Sequence, residues 1–547
     1  MICCFLLSQK QHAQDQTVGV FLNTPEAVNG YTLFSPVASN QTYLIDNCGE
    51  KIKEWNFNTI PGMMAYLLED GRLLRAGRLF NGFGAGGSGG LIELRSWDDE
   101  LLWSYSYSDQ NVKQHHDIEY LDNGNILIIA WERKTQSECI AAGRDPNFLT
   151  DAGLWFEHIL ELKPIGVDDA EIIWEWHLFD HMVQDFNPSL NNYVEDISQY
   201  PGRLDINYNA FFNGGPNLNS PDIFHFNAVD YNPELDLIMI SCRNTSEVYI
   251  IDHSTSIEEA NGSEGGRFGK GGDFLFRWGN DIIMNPESMQ EQQLFSQHDA
   301  SFVFQDDLYT GQISIFNNGL GRDEENTSSV EIIIPKMNSD SFSYSSDQGY
   351  ILENRFSVFP RAEYEFSSAR ISGVQLLNNG NIFIASGNEG AVFELDQNGE
   401  LLWKYINPIG QIGPVPQGQA PIQNDIFRAL KYELDYKAFE ERDLESQGVL
   451  ELDPVDYGCE IYDMTDSSED INFPGNILYP NPVQDVLYLE SKNSITPNDY
   501  QVYNSVGQII INGRFNGSLN VYDLNPGLYY LKIKLGTLHQ VYKFVKL

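Results

Sequence analysis

An internal repeat constrains the fold of this chain more than any other feature. In each copy an Asn-Gly or Asp-Gly turn precedes a strand of alternating apolar residues. The clearest copies are YLDNGNILIIAW at 120–131 and QLLNNGNIFIAS at 375–386, and YLLEDGRLLRAG at 66–77 is a looser one. Such turns join neighbouring antiparallel strands as hairpins. Repeated hairpin units of this size favour a β-propeller, in which four-stranded blades surround a central channel.

The repeat predicts an all-β fold, a six-bladed β-propeller followed by a small C-terminal β-sandwich. The strands that open five blades are expected near Met63, His116, His225, His298 and Ser372. The N-terminal strands and the tail after Asn424 would together supply the sixth blade and close the ring. A sandwich or a solenoid of equally short strands is the alternative architecture.

Composition changes after about residue 440. We predict a propeller domain over 14–440, an acidic linker over 441–475 and a strand-rich β-sandwich over 476–547. The first residues, MICCFLL at 1–7 with an Ala-Gln junction at 13–14, are interpreted as a partial signal peptide over 1–13.

Charge and hydropathy exclude several classes of partner. The chain has 33 Lys and Arg against 78 Asp and Glu, a formal net charge of -45. This charge repels phosphate backbones and anionic membrane surfaces, so nucleic acid is not an expected partner. No run approaches the roughly 18 apolar residues of a membrane-spanning helix, so no transmembrane segment is expected. An anionic substrate would need a local set of cations.

Cysteine spacing does not predict a thiolate zinc site, because the widely separated cysteines include no CxxC pair. A single disulfide fits an oxidising compartment. Cys48 with Cys139 is one candidate pairing, which the sequence alone does not assign. Cys242 lies in an apolar strand and is expected to be a buried thiol.

Three histidines fall at corresponding places where predicted blades begin, in QHHD at 114–117, FHFN at 224–227 and QHDA at 297–300. First strands of propeller blades line the channel, so these side chains should converge at one mouth. We predict His116 for the channel position, with His115 as its alternative. The remaining His158, His177, His181, His253 and His539 are expected to be ordinary core or surface residues.

Arg243 and Asn227 are the predicted neighbours of this histidine cluster. Arg243 ends the strand that follows His225, where its guanidinium can hold two oxygens of an oxyanion. Asn227 lies two residues after His225 and should share its face. Three imidazoles can also hold zinc or copper. The fixed charge of Arg243 argues against a cation beside it, so we predict no metal and no cofactor.

Four blocks between 114 and 408 resemble the arylsulfate sulfotransferase family in family order: QHHDIEYLDNGNILIIAWE, FHFNAVDYNPELDLIMISCRN, SQHDASFV with ISIFNNG, and SGVQLLNNGNIFIASG with FELDQNGELLWKYINP. The resemblance implies a six-bladed propeller that transfers sulfuryl groups from an aryl sulfate donor to a phenolic acceptor without the nucleotide donor PAPS. It implies a sulfohistidine on His298, with His116, His225 and Arg243 as further catalytic residues. Asn227 and His115 would be substrate-binding. The short segment before the first blade leaves little room for the N-terminal domain through which relatives can dimerise.

The tail carries LYPNPVQDVLYLES at 478–491, YQVYNSVGQII at 500–510 and LNPGLYYLKI at 524–533. These motifs resemble C-terminal sorting domains of the type IX secretion system. The resemblance implies export through the periplasm to the cell surface or the medium, with the secretion machinery as a partner. The alternative function is a surface-displayed propeller that binds metal or glycan and is not a sulfotransferase.

Overall fold

The computed structural model describes residues 16–208, 211–212, 215–216, 220–283, 291–305, 308–338, 341–361, 364, 366–455, 458–462, 476–479, 483–491, 499–504, 509–514, 518–522, 524–525, 527–535 and 538–546. The predicted signal peptide over 1–13 lies outside these residues. The chain divides into two compact units, Met1–Ile461 and Tyr462–Leu547. Both are built from antiparallel strands, so the all-β prediction is confirmed.

In its described residues the first unit contains six large antiparallel sheets, in which most neighbouring strands are also consecutive along the chain. Sheet I comprises Ile426–Glu433, Gly30–Pro36, Gln41–Ile45 and Lys51–Asn56; sheet II comprises Pro61–Leu67, Leu73–Arg78, Gly90–Arg95 and Leu101–Ser106; sheet III comprises Val112–Tyr120, Ile126–Lys134, Leu154–Ile165 and Asp169–His177. Sheet IV comprises Phe226–Asn232, Leu237–Cys242, Glu247–Asp252 and Phe276–Trp278; sheet V comprises His298–Gln305, Leu308–Asn317, Ser329–Pro335 and Leu352–Val358; sheet VI comprises Gly373–Leu376, Ile382–Ser386, Ala391–Leu395, Leu401–Ile406 and Gly19–Asn23.

The first-named strands of the six sheets contact one another in cyclic order, from sheet I through sheet VI and back to sheet I. Tryptophans near the outer edges of the sheets donate hydrogen bonds to the next sheet in this cyclic order. The indole N–H of Trp55 donates to the carbonyl of Ser96 in the next sheet at 3.1 Å. Trp403 of sheet VI donates to the carbonyl of Asn47 in sheet I at 2.7 Å. The aromatic anchors of the repeat therefore join each of these sheets to its successor.

Two strand pairings join the ends of the first unit. Ile426–Glu433 pairs with Gly30–Pro36, and Gly19–Asn23 pairs with Leu401–Ile406. The tail after Asn424 and the N-terminal strands, which the sequence assigns to the sixth blade, thus pair with each other in sheet I. The apolar core lies between neighbouring sheets, because one cluster joins Leu74 of sheet II to Ile128 of sheet III.

Helices are short and lie in the connections. Among the residues that the structure describes, two α-helices span Gln136–Ala141 and Ile257–Ala260. Short 3-10 turns span Pro146–Phe148, Leu178–His181, Ile197–Gln199, Asp281–Ile283, Gly387–Glu389 and Lys437–Phe439. Two-residue strands lie at Met182–Val183, Leu204–Asp205, Phe211–Phe212, Gly215–Pro216, Met337–Asn338, Ser341–Phe342, Tyr344–Ser345, Gly349–Tyr350, Ile409–Gly410 and Gly413–Pro414. None of the helices in the described part of the chain has the length and apolar character to cross a bilayer.

A disulfide joins Cys48 to Cys459. The candidate pairing of Cys48 with Cys139 is therefore wrong, since Cys139 is a free thiol buried within the first helix. Cys242 is a buried free thiol, as predicted. The N-terminal part of the predicted linker thus belongs to the first unit, where Val449 and Leu452 form β-bridges to Glu50 and Pro416.

The second unit contains a sheet of Asn476–Tyr479, Val486–Ser491 and Ser518–Asn520, and a sheet of Ile509–Arg514, Asp499–Asn504, Gly527–Leu535 and Leu538–Lys546. Side chains of both sheets share one apolar core, which includes Leu487, Leu519, Val502 and Leu531.

Candidate functional site

The three predicted histidines lie in or directly beside the first strands of sheets III, IV and V. His116 is in Val112–Tyr120, His225 directly precedes Phe226–Asn232, and His298 opens the first strand of sheet V. These three strands lie side by side, so the histidines converge. The ring centroids of His116 and His225 are 4.7 Å apart.

Irregular backbone shapes this end of the strands. The strand register shifts opposite 115–117, at Asn227 and at Asp299, which is typical of β-bulges. His116, His225 and Asp299 have φ angles of 50°, 64° and 53°. Non-glycine residues in this left-handed region are strained, and such strain clusters at functional sites. The simple alternation that we assumed for Asn227 does not hold through a bulge.

His298 is buried, and both of its ring nitrogens are hydrogen-bonded. Its Nδ1 lies 2.7 Å from Oδ1 of Asn318. The amide of Asn318 donates to the carbonyls of Ser368 and Ile371 at 2.6 and 2.9 Å, so its oxygen faces His298 as an acceptor. Nδ1 of His298 must therefore carry the proton. Nε2 carries the lone pair and accepts the backbone N–H of Ile371 at 3.2 Å.

Burial holds His298 in its neutral form. Burial, followed by the positive charge of Arg243, lowers the pKa of His298 well below its usual value. Arg243 is half-buried, and burial lowers its own pKa although Asp222 opposes this effect. An arginine remains charged at neutral pH, so the site combines a neutral imidazole with a fixed cation.

His116 contacts His115 rather than a carboxylate. Nδ1 of His116 lies 2.8 Å from Nδ1 of His115, and Nε2 of His115 lies 3.0 Å from Oε2 of Glu157. His115 stacks on Trp131, with ring centroids 4.0 Å apart. Burial, then the neighbouring His225, lowers the pKa of His116 well below its usual value. Of the two candidates for the channel position, His116 is the one whose ring faces His225.

His225 is held by Asp222, whose Oδ2 lies 2.5 Å from its Nδ1. Asn227 is buried, and its amide donates to the carbonyl of Gln297 at 2.7 Å. Its Oδ1 has no hydrogen-bond partner among the described residues. His225, Arg243 and Asn227 thus lie in sheet IV, between the sheets that carry His116 and His298.

Arg428 was not predicted from the sequence. It projects from Ile426–Glu433 of sheet I, with Nη1 2.8 Å from Asp117 and Nε 3.0 Å from Asp299. These two aspartates directly follow His116 and His298. Burial would lower the pKa of Arg428, but the two carboxylates raise it. An arginine between the apolar residues Phe427 and Ala429 was the available sequence signal, because a buried guanidinium needs carboxylate partners.

The glycine-rich segment around Gly87 packs directly on the site. Gly87 has a φ of 76°, and a β-carbon there would lie 1.9 Å from the ring of His116. Its carbonyl accepts the N–H of His116 at 2.7 Å. Phe83 of the same segment is buried with Trp131 and Trp155 beside His115. The close approach to His116 and the positive φ explain why glycine is needed at position 87.

The remaining described histidines pair with carboxylates away from the cluster. Among the described residues, one group of potential metal ligands has atoms within 4.8 Å of one another, formed by Glu132, His158 and His177. The ammonium of Lys134 lies 2.9 Å from Glu132, so this group is interpreted as an ion-pair cluster. His181 pairs with Asp273 at 2.8 Å. His253 pairs with Asp236 at 2.7 Å and with Glu161 at 3.0 Å, and the side chain of His539 lies outside the described residues.

Comparison with known proteins decides the family. The family model for arylsulfotransferase (ASST) matches residues 100–411, a range that includes all six predicted site residues. The chain belongs to the arylsulfotransferase family. The arylsulfotransferase match ends before Arg428. A second model, for a secretion system C-terminal sorting domain, matches residues 477–547, so the tail of this arylsulfotransferase is a sorting domain that directs export to the cell surface or outside.

No curated relative matches the chain. Similar solved structures include a protein of unknown function from Bacteroides caccae, 11% identical, covering 74% of this chain and 99% of that chain with a TM-score of 0.38. The Cps50 β-propeller domain of Myceliophteria thermophila is 9% identical, covering 79% of this chain and 96% of that chain with a TM-score of 0.33. A periplasmic gluconolactonase from Pseudomonas aeruginosa is 9% identical, covering 69% and 94% with a TM-score of 0.34.

Proposed function

We propose that this arylsulfotransferase transfers a sulfuryl group from an aryl sulfate ester to a phenol through a covalent intermediate on His298, without PAPS. The six sheets would form a six-bladed β-propeller over 14–440, joined through a linker to a C-terminal β-sandwich. The cyclic contacts of the first strands and the pairing of Ile426–Glu433 with Gly30–Pro36 support the propeller.

The observation that carries the proposal is the hydrogen bond from Nδ1–H of His298 to Asn318. It fixes the lone pair on Nε2, the nitrogen that can attack sulfur. Burial keeps the ring neutral, which is the nucleophilic form. When Nε2 forms its bond to sulfur, the N–H of Ile371 loses its acceptor and becomes available to a sulfuryl oxygen.

Positive charge beside His298 suits an anionic group. The guanidinium of Arg243 can donate to two sulfuryl oxygens, and His225 can add a donor when it is protonated on both nitrogens. Donors aimed at developing charge in a buried site stabilise a transition state strongly. Arg243 supplies the local cation that an anionic substrate needs in a chain with a net charge of -45, whereas Arg428 is already paired with Asp117 and Asp299.

Two displacements complete the proposed reaction. In the first, Nε2 of His298 bonds to sulfur while the sulfur–oxygen ester bond breaks, and the departing phenoxide takes a proton from the site. In the second, a phenol gives a proton to the site and its oxygen takes the sulfuryl group from His298. Each step returns the electron pair of the broken bond to its leaving atom, so no redox partner is needed.

An assay with 4-nitrophenyl sulfate tests the proposal. We expect 4-nitrophenol release to be slow with donor alone, after one equivalent is released per chain, and to become sustained when phenol is added. Phenyl sulfate should form in equal amount, and PAPS should have no effect. Release that is equal with and without phenol, or absent in both cases, would contradict transfer. Absence of release with retained glycan or metal binding would favour a surface-displayed binding protein.

A further inference from the structure

A chain of three buried groups leads from the interior of sheet III to the candidate site. Oε2 of Glu157 lies 3.0 Å from Nε2 of His115, and Nδ1 of His115 lies 2.8 Å from Nδ1 of His116. Glu157 and His115 have no exposed surface. The other carboxyl oxygen of Glu157 accepts the N–H of Phe226 at 2.9 Å, and Trp131 stacks on His115. The three groups are therefore held in fixed positions.

The contact between two Nδ1 atoms links the protonation of all three groups. A hydrogen bond between two nitrogens contains one proton, and each neutral imidazole carries one proton in total. In the first arrangement Nδ1 of His115 carries the shared proton. Nε2 of His115 then accepts a hydrogen bond from a protonated Glu157, and the proton of His116 is on its Nε2. In the second arrangement Nδ1 of His116 carries the shared proton, His115 donates from Nε2 to an ionised Glu157, and Nε2 of His116 has no proton.

We propose that Glu157 and His115 form a proton relay that makes His116 the general acid of donor cleavage and the general base of acceptor attack. Glu157 and His115 act as positioning residues, and the catalytic contact is made by Nε2 of His116. The proposal rests on the sulfuryl transfer proposed above and extends it, because that transfer leaves open whether His116 or His225 moves the proton.

The proton balance closes over the two displacements. During donor cleavage, N–H of His116 protonates the phenoxide, Nδ1–H of His115 moves to Nδ1 of His116, and the carboxyl proton of Glu157 moves to His115. Glu157 is then ionised while His298 carries the sulfuryl group. During acceptor attack the transfers run in reverse. Nε2 of His116 takes the proton of the phenol, Nδ1–H of His116 moves to Nδ1 of His115, and Nε2–H of His115 protonates the carboxyl group of Glu157 again.

The surroundings favour a protonated Glu157 at rest. Burial, followed by the carboxylate of Asp222, raises the pKa of Glu157 well above its usual value. The other groups facing the relay are His225 and Cys242 from sheet IV, and Arg428 and His298 across the site. Burial lowers the pKa of both relay histidines, so neither is a lasting cation. The resting enzyme is thus prepared to protonate a leaving group.

His225 is a less suitable proton shuttle. Its Nδ1 is bound to the carboxylate of Asp222, and its ring is not a member of the hydrogen-bonded chain that links Glu157, His115 and His116. In the proposed mechanism His225 therefore binds sulfuryl oxygens, and proton transfer belongs to His116.

Glu157→Gln tests the relay. The substituted amide keeps an oxygen for the N–H of Phe226 and presents its NH2 to His115, but it cannot release a proton. With 4-nitrophenyl sulfate, whose leaving group needs little protonation, the first equivalent of 4-nitrophenol should appear within about threefold of the wild-type rate. With phenyl sulfate, cleavage should slow by about a hundredfold or more. Transfer to phenol should slow similarly and recover with an acceptor that is already ionised.

The matched control is Glu175→Gln, which alters another Glu–His pair of sheet III. Oε2 of Glu175 lies 3.3 Å from Nε2 of His158 on the opposite face, with no link to His116. This variant should keep the wild-type dependence of rate on leaving-group pKa. His115→Asn should reproduce the Glu157→Gln pattern, and release of the first equivalent of 4-nitrophenol shows that each variant has a folded site.

Two outcomes would overturn the relay. One is wild-type cleavage of phenyl sulfate by Glu157→Gln. The other is a steepened leaving-group dependence in Asp222→Asn with none in Glu157→Gln, which would assign the proton transfer to His225. Failure of the underlying sulfuryl transfer is distinguishable, because wild-type protein treated with donor would then carry no adduct on His298.

Discussion

Asn318 determines which ring nitrogen of His298 carries the proton. Its side-chain oxygen accepts from Nδ1 across 2.7 Å, while its amide is bound by two backbone carbonyls. The asparagine cannot reverse its orientation without breaking both carbonyl bonds. One ring tautomer is thereby selected before any substrate arrives.

His298→Ala should abolish donor cleavage and transfer, with a loss on the order of a thousandfold or more, because no covalent step is left. His298→Asn should keep the fold and lack the same activity. Mass spectrometry of wild-type protein after donor treatment should locate one sulfuryl group on His298, stable in base and labile in acid. An adduct on His116 or His225 would reassign the nucleophile, and transfer without any adduct would refute the covalent mechanism.

Asn318→Ala should lower kcat by about ten- to a hundredfold with a small change in KM, because Nδ1 loses the acceptor that fixes the tautomer. Asn317→Ala is the control. Asn317 is equally buried and binds Phe295 and Gln293, without contacting His298. Steady-state kinetics compare the folded Asn318→Ala and Asn317→Ala variants. Equal kcat values in the two variants would show that Asn318 has a purely structural role.

Arg243→Lys should lose most activity although its charge is retained, since an ammonium cannot present two parallel N–H groups to sulfuryl oxygens. The exposed Arg267, also in the connections of sheet IV, provides a control, and Arg267→Lys should be as active as wild type. We would measure kcat/KM for 4-nitrophenyl sulfate in both. Wild-type kcat/KM in Arg243→Lys would show that this side chain does not hold the sulfuryl group.

His253 should make stability depend on pH in a defined direction. Burial would lower the pKa of His253, but hydrogen bonds to Asp236 at 2.7 Å and Glu161 at 3.0 Å raise it to about 9. Its stabilising contribution is present below the unfolded pKa and is lost as pH rises through 9. Between about pH 6 and about pH 9.5, wild type should lose about 2 to 3 kcal/mol more unfolding free energy than His253→Gln. Denaturant titrations at both pH values measure this, and identical losses would refute it.

Removal of residues 478–547 should leave a folded and active first unit that fails to reach the cell surface. The first unit has its own cores, and Cys459 with its disulfide remains in the shortened chain. An activity assay on cell extract tests whether the first unit folds, and surface labelling of intact cells tests whether it is exported. Normal surface delivery of the shortened protein would show that another segment directs export.

The positions of the first strands could be predicted from the sequence because their signals are local. Turns such as Asn123-Gly124 place a glycine at a φ of 85°, and the apolar alternation after them continues for a full strand. His116, His225 and His298 lie in or directly beside these first strands.

Other features depend on contacts between distant parts of the chain. Arg428 finds Asp117 and Asp299 in sheets far from it along the sequence, and Cys48 pairs with Cys459 across a separation of 411 residues. The bulge at His116 depends on close packing against Gly87. Sequence spacing does not indicate the partners in these three relationships, since each pairing depends on how separate sheets meet.

The Cys48–Cys459 disulfide determines where the first unit bears a pulling force applied to the C-terminal sorting domain. Any pulling force on the sorting domain travels along the backbone to Cys459, and there the covalent bond diverts it to the turn that follows Gln41–Ile45. Ile426–Glu433, the last strand to join sheet I and the one that carries Arg428, bears none of that load directly. Tension during passage out of the cell, or at an anchored surface, is thus kept away from the strand that pairs with Gly30–Pro36.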